Sequence, residues 1–176
     1  RDRRSETLII TIDPATLTID PTAVAAAIGP KTRAIIAQNT FGLSADLASL
    51  TSLGDARDIR VIDDCTHGLG GSYRDRPNGA STPASFFSTQ WSKTISTGLG
   101  GFAVATDPTI VSRLKAIEAE ATAPSPASIA LLRTLVFGME HGGHGRLFRT
   151  GRSAYRALSR RGCARRRRAR PACLPA

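Results

Sequence analysis

Short apolar runs alternate with helix-compatible segments along the first 120 or so residues, and this alternation restricts the fold more than any other property of the chain. Arg33-Ala-Ile-Ile-Ala37, Ile59-Arg-Val-Ile62, Ala84-Ser-Phe-Phe87 and Phe102-Ala-Val-Ala105 each have the length and side chains of a strand. Thr7-Leu-Ile-Ile-Thr-Ile12 reads as an earlier strand, stopped by Asp13-Pro14. Asp20-Pro21 opens a helix through Ile28, with the aspartate as N-cap and the proline in the first turn. Gly29-Pro30 ends it. Ser44 or Asp46 can cap a second helix to about Ala56, after the turn Asn39-Thr-Phe-Gly42. Asp107-Pro108 begins a third, to about Ala121, and Ser128 to Phe137 forms a fourth after a break containing two prolines. Strands alternating with helices in this way predict right-handed βαβ crossovers and a mainly parallel α/β sheet.

Composition matters chiefly through its asymmetry. The hydrophobic fraction of 41% and charged fraction of 22% are those of an ordinary globular protein. No apolar run approaches the ~18 residues that a membrane span needs, and no signal peptide is visible. The net charge of +10 is unevenly placed. All 14 acidic residues lie at or before Glu140 and leave residues 1–140 at −1, whereas 141–176 holds 11 arginines, no lysine and no acid. Two regions are therefore expected: a folded domain over 1–140, and an arginine-rich tail over 141–176 that is disordered or non-native. Cys65, Cys163 and Cys173 fit no CxxC or zinc spacing, so neither a disulfide framework nor a metal site is expected, and the default setting is reducing and cytoplasmic.

The chemistry concentrates in one 40-residue window. Val61-Ile-Asp63-Asp64-Cys65-Thr66-His67-Gly68 is an apolar strand that ends in two carboxylates, with an imidazole three positions on. Ligands of open α/β sheets bind outside the carboxyl ends of strands, where Asp64 falls. With two acids in succession, one can serve a turn and the other a ligand. Lys93 follows twenty-nine residues after Asp64, in Ser88-Thr-Gln-Trp-Ser-Lys93-Thr-Ile-Ser-Thr-Gly98-Leu-Gly100-Gly101. No other charge occurs between Arg76 and Asp107, a setting that suits a nucleophilic amine. Ser88, Ser92, Thr94, Ser96 and Thr97 are candidate phosphate anchors, and the glycines allow close backbone approach to an anion. A carboxylate for a pyridinium nitrogen, an amine for an aldehyde, and hydroxyls for a phosphate are the parts that a pyridoxal phosphate (PLP) site requires.

On these residues the chain resembles the DegT/DnrJ/EryC1/StrS sugar aminotransferases, PLP enzymes of fold type I. The resemblance runs from about residue 8 to about 120. It includes Ile12-Asp-Pro-Ala-Thr-Leu-Thr-Ile-Asp-Pro21, Thr32-Arg-Ala-Ile-Ile36, Phe41-Gly42, Val61-Ile-Asp-Asp64 and Ser92-Lys93 with its glycines. It implies a three-layer α/β/α large domain of the aspartate-aminotransferase type. Lys93 would be the catalytic lysine that carries the cofactor, Asp64 the partner of the pyridine nitrogen, His67 a contact to the ring or its phenolic oxygen, and Ser88 a phosphate ligand. The implied reaction passes an amino group, typically from glutamate, to a keto-sugar nucleotide within a homodimer, in polysaccharide, O-antigen or secondary-metabolite sugar biosynthesis. The chain also departs from the family. Asp63-Asp64-Cys65-Thr66 stands where the family usually has Glu-Asp-Ala-Ala, and no asparagine occurs after Asn78 to supply the family's downstream Asn-Tyr-Arg motif. The expectation is a fragment of the large domain, truncated at both ends, with the family's first phosphate-binding turn before residue 1 and the arginine-rich run in place of its small domain.

Two other readings compete. One is an inactive PLP-fold fragment. The other is polyanion or nucleic-acid binding by the tail through counterion release. The second is disfavoured because the tail carries no recognised motif and only Phe148 and Tyr155 as aromatics. A PLP assay and salt-dependent DNA retention separate them.

Overall fold

The computed structural model describes residues 6–90 and 92–141. Expectations about the arginine-rich tail lie outside the described residues. The chain divides into two units between Ala123 and Pro124.

The first unit is built on a four-stranded sheet. Its strands are β1 (Ala34–Gln38), β2 (Arg60–Asp64), β5 (Ala84–Ser88) and β6 (Gly101–Ala105), in the order β1-β2-β5-β6. A two-residue hairpin of β3 (Ser72–Tyr73) and β4 (Arg76–Pro77) lies between β2 and β5 in sequence. β1, β2 and β5 are parallel, and β6 runs antiparallel to β5. The α/β class and the mainly parallel sheet are as the sequence predicts. The reversal at β6 follows from its connection: the described residues of 89–100 include no helix to carry the chain back across the sheet. They instead form a loop closed at its base, with the Thr89 amide donating to Gly100 O at 3.0 Å and the Thr97 amide to Thr89 O at 2.9 Å.

The helices start where their caps are. In α1 (Pro21–Ala27) Asp20 accepts from the Thr22 amide at 2.8 Å. In α2 (Leu47–Asp55) the cap is Asp46, which accepts from the Ser49 amide at 3.3 Å. In α3 (Pro108–Glu120) Asp107 accepts from the Thr109 amide at 2.7 Å. Arg60 at the start of β2 reaches Asp107 at 3.4 Å, tying that cap to the sheet.

One face of the sheet is packed. Ile35 and Ala37 of β1 and Val61 of β2 meet Val24 of α1 and Leu47 and Leu50 of α2, with Ala45 and Ile59 completing the cluster. The alternation of strand side chains puts Ile36 on the other face, where it is 53% exposed. Farther along the packed face, Phe87 stacks on Phe102 with ring centroids 4.6 Å apart.

The expected strand Thr7–Ile12 does not form. Only Ile12 pairs, in an isolated antiparallel bridge with Ile19, while Leu8 and Ile9 are exposed. The turn at Asp13-Pro14, closed by the Asp13 amide on Thr18 O at 2.9 Å, folds the segment back on itself. A strand exists only where another segment takes up its backbone groups; the Asp20 amide bonds Thr11 O at 3.2 Å, but no strand among the described residues pairs with 7–10.

In the second unit α4 spans Pro126–His141, longer at both ends than the expected Ser128 to Phe137. Its start is fixed by Ser125, whose Oγ accepts from the Ser128 amide at 3.2 Å.

Candidate active site

Because β1, β2 and β5 are parallel, their carboxyl ends lie along one edge of the sheet. Gln38 pairs with Asp64, and Asp64 pairs with Phe86, two residues before Ser88. Paired residues share a face, and so do residues two apart on a strand. Gln38, Asp64, Phe86 and Ser88 therefore line the face opposite the packed helices. The structure thus brings Asp64 and Ser88 together on neighbouring strands.

The two acids at the end of β2 are divided between the faces. Asp63 is fully buried on the helix side, where Oδ1 accepts from Asn39 Nδ2 and Oδ2 from the Gly79 amide, both at 2.9 Å. Asp64 is half-buried on the open side. Its Oδ1 accepts from the Thr66 amide at 3.0 Å, and Oδ2 has no hydrogen-bond partner among the described residues. Asp63 is the structural carboxylate and Asp64 the available one.

Lys93 lies in the closed loop that leaves the same edge after β5. It is half-buried, and its amide donates to Gln90 O at 3.0 Å in a turn. Nζ makes no ion pair or hydrogen bond among the described residues. Ser88 Oγ accepts only a long bond, 3.4 Å, from the Gln90 amide, so its own proton is uncommitted. His67 is exposed on the loop after β2, and its ring bonds to nothing among the described residues.

The structure narrows the list of hydroxyls. Thr97 Oγ1 is 2.8 Å from Thr89 Oγ1 and donates to Leu99 O at 2.8 Å, and Ser96 Oγ accepts from the Gly98 amide at 3.2 Å. These groups hold the lysine loop in shape; the Thr97 proton is committed to Leu99 O, whereas Ser96, like Ser88, only accepts and keeps its proton. Ser92 and Thr94 are exposed. Gly98 and Gly100 have φ of 80° and 116°, the left-handed region that favours glycine, and there they turn the loop back into β6.

Cys65, next after Asp64, is fully buried on the side of Asp63. Burial pushes its thiol well above the usual range, and a hydrogen bond to Asp63 adds to this. It is therefore a neutral packing residue. The sequence reading missed Asn39 and Asn78, both buried, which hold the loops under this edge. The sequence signal was slight: each asparagine stands in a turn-like stretch, Asn39 before Thr-Phe-Gly42 and Asn78 between Pro77 and Gly79.

An open carboxylate, an unpaired amine and a free hydroxyl at one sheet edge can bind a flat ligand bearing a basic nitrogen at one end and an anion at the other. The profile of the DegT/DnrJ/EryC1/StrS aminotransferase family matches residues 2–139. The chain belongs to this family. The match extends past both ends of the region in which the motifs are recognisable by eye.

Similar proteins agree with it. The L-glutamine:2-deoxy-scyllo-inosose aminotransferase of Streptoalloteichus tenebrarius is 33% identical over 132 residues, covering 72% of this chain and 31% of that protein. DesI, solved in the presence of its TDP-sugar product, superposes with a TM-score of 0.56 at 34% identity, over 60% of this chain and 27% of DesI. The E. coli GDP-4-keto-6-deoxy-D-mannose-3-dehydratase, solved with bound hydrated PLP, gives a TM-score of 0.50 at 28% identity, over 56% of this chain and 25% of the enzyme. The chain thus spans about three-tenths of the length of the curated relatives it matches. No helix among the described residues is long and apolar enough to cross a membrane.

Proposed function

We propose that this chain carries the cofactor-binding edge of a PLP-dependent aminotransferase that moves an amino group from an amino acid to the ketone of a sugar-like substrate. The observation that carries the reading is the placement of Asp64 and Ser88 on one face of adjacent parallel strands, with Lys93 in the loop leaving the same edge. The donor set fits the cofactor. Among the described residues nothing occupies Asp64 Oδ2, the Ser88 proton or Lys93 Nζ, which could then accept from a protonated ring nitrogen, donate to a phosphate and attack an aldehyde. His67 stands three residues beyond Asp64, as a contact for the ring face or phenolic oxygen would.

When bound, PLP supplies an electron sink for the bond broken at the substrate carbon. The chain's own residues do the rest. Asp64 would face the ring nitrogen with its carboxylate and so favour the protonated ring. Lys93, as a free amine, would take the proton from the carbon that bears the amino group and hand it to the cofactor, and would run the same transfer in reverse onto the acceptor's keto carbon. The contact between Thr89 and Thr97 closes the base of the loop that carries Lys93.

The donor we propose is glutamate or its amide, glutamine, for which the S. tenebrarius relative is named. The acceptor is a keto-sugar nucleotide, in line with the TDP-sugar product of DesI, with a keto-cyclitol as the variant that the inosose relatives favour. A cytoplasmic homodimer in sugar or secondary-metabolite biosynthesis completes the reading.

The test is covalent labelling. The chain is incubated with PLP, reduced with borohydride and mapped by peptide mass. The cofactor should be found on Lys93, with none retained in Lys93→Ala. Equal labelling of other lysines, or no labelling, overturns the assignment.

A further inference from the structure

We infer that Asn78 is a positioning residue for the candidate site: its side-chain amide, anchored through Asp63, sets the loop that places Asp64 and His67. The inference rests on the proposed reading of those two residues.

The loop from Cys65 to Gly71 is two successive turns, with the Gly68 amide on Cys65 O at 3.0 Å and the Gly71 amide on Gly68 O at 3.1 Å. It carries His67 and also Thr66, whose amide holds Asp64 Oδ1. The loop rests on Asn78, which is buried. Asn78 Nδ2 donates to Gly68 O at 3.0 Å, Oδ1 accepts from Ser44 Oγ at 2.7 Å, and its amide donates to Gly71 O at 3.0 Å. The approach is close. A Cβ on Gly68 would stand 3.0 Å from both Asn78 Nδ2 and Asn39 Nδ2, and one on Gly71 would stand 2.7 Å from Asn78 Nδ2.

Asn78 is itself fixed. The next residue, Gly79, donates its amide to Asp63 Oδ2 at 2.9 Å, and its carbonyl accepts from Ser85 Oγ at 3.0 Å. Asp63 Oδ1 is in turn held by Asn39 Nδ2, and Asn39 Oδ1 accepts from the Ala45 amide at 3.0 Å. A run of buried hydrogen bonds thus connects the back of β2, through Gly79 and Asn78, to the carbonyl of Gly68, the residue after His67. In a desolvated network of this kind no water replaces a lost donor, so the loop must move when one is removed.

The test uses Asn78→Ala and Asn78→Asp. The aspartate keeps the size and the acceptor for Ser44 but cannot donate to Gly68 O. Amide hydrogen exchange is read at Thr66 to Gly68 and, as an internal standard, at Leu50 and Val61 in the core. Both variants should exchange about tenfold faster in the loop with the core unchanged. They should also bind PLP roughly five- to tenfold more weakly, and the pH midpoint of the bound cofactor's visible absorbance should move, which a merely structural role would not cause. Unchanged loop exchange overturns the inference, and so does equal acceleration in loop and core. Faster loop exchange with unaltered cofactor affinity and spectrum overturns it too. If the wild-type chain takes up no PLP, the reading of Asp64 and Lys93 fails separately, and loop exchange alone decides whether Asn78 holds the loop.

Discussion

Asp63 and Asp64 are adjacent in sequence and stand on opposite faces of β2. Asp63 is buried with both carboxylate oxygens bonded, to Asn39 Nδ2 and the Gly79 amide, while Asp64 keeps one oxygen open on the face it shares with Ser88. Strand pleating makes this division, and it assigns different work to two identical side chains.

The two acids should therefore respond differently to substitution. Asp64→Ala should leave thermal stability within about 1 kcal/mol of wild type and abolish transamination, even if some cofactor stays bound. Asp63→Ala strands the Asn39 amide and the Gly79 N–H without water, and should cost about 2–5 kcal/mol in a denaturant melt. Equal stability losses in the two variants would contradict the division of roles.

Gly79→Ala tests the junction under the site. Gly79 has φ of 87°, and an added Cβ would lie 2.6 Å from Phe87 Cζ and 2.8 Å from Ser85 Oγ. Strain and clash act together, so a loss of about 3 kcal/mol or more is expected in a melt. A near-neutral variant would show that the hairpin exit can shift away from β5.

Cys65 should be inert in the folded chain. Burial and then Asp63 hold it as the thiol, and the thiolate is the reactive form. Peptide mapping after maleimide treatment at neutral pH should find Cys65 unmodified until denaturant is added. Rapid labelling under native conditions would mean that the loop after β2 opens readily.

The start of α2 should loosen in acid. The Ser49 hydroxyl, followed by the Tyr73 hydroxyl, holds the Asp46 carboxyl below its ordinary value. A lowered folded value means the stabilisation is complete above the ordinary carboxylate range and is lost as pH falls through the folded value, so the loss should appear below about pH 4. Asp46→Ala should flatten that dependence and remove about 1 kcal/mol at neutral pH by loss of the cap. Chemical denaturation at a series of pH values measures both.

Much of the first unit was legible in the sequence because its signals are local. Asp20, Asp46 and Asp107 precede apolar helical segments and cap them, and the strands at 34–38, 60–64, 84–88 and 101–105 announce themselves by short apolar runs. The candidate site was legible for a similar reason: Asp64, Ser88 and Lys93 fall at strand ends or in the glycine-rich turn that follows one. Other features were not. Thr7–Ile12 has the side chains of a strand, but no strand among the described residues pairs with 7–10. Thr97 looks as suited to an anion as Ser88 does, and only its partners, Thr89 across the loop and Leu99 O, show that it is committed.

The sequence by itself determined where helices and strands begin and which reactive groups follow which strand, since caps, periodicity and turn residues act within a few positions. The tertiary structure decided that β6 runs backward, that Asp64 rather than Asp63 stands open, and that Asn39 and Asn78 support the edge. Each of those depends on a hydrogen bond or strand pairing between segments that are distant in sequence or separated by a loop, and such a partner exists only once the chain has closed on itself.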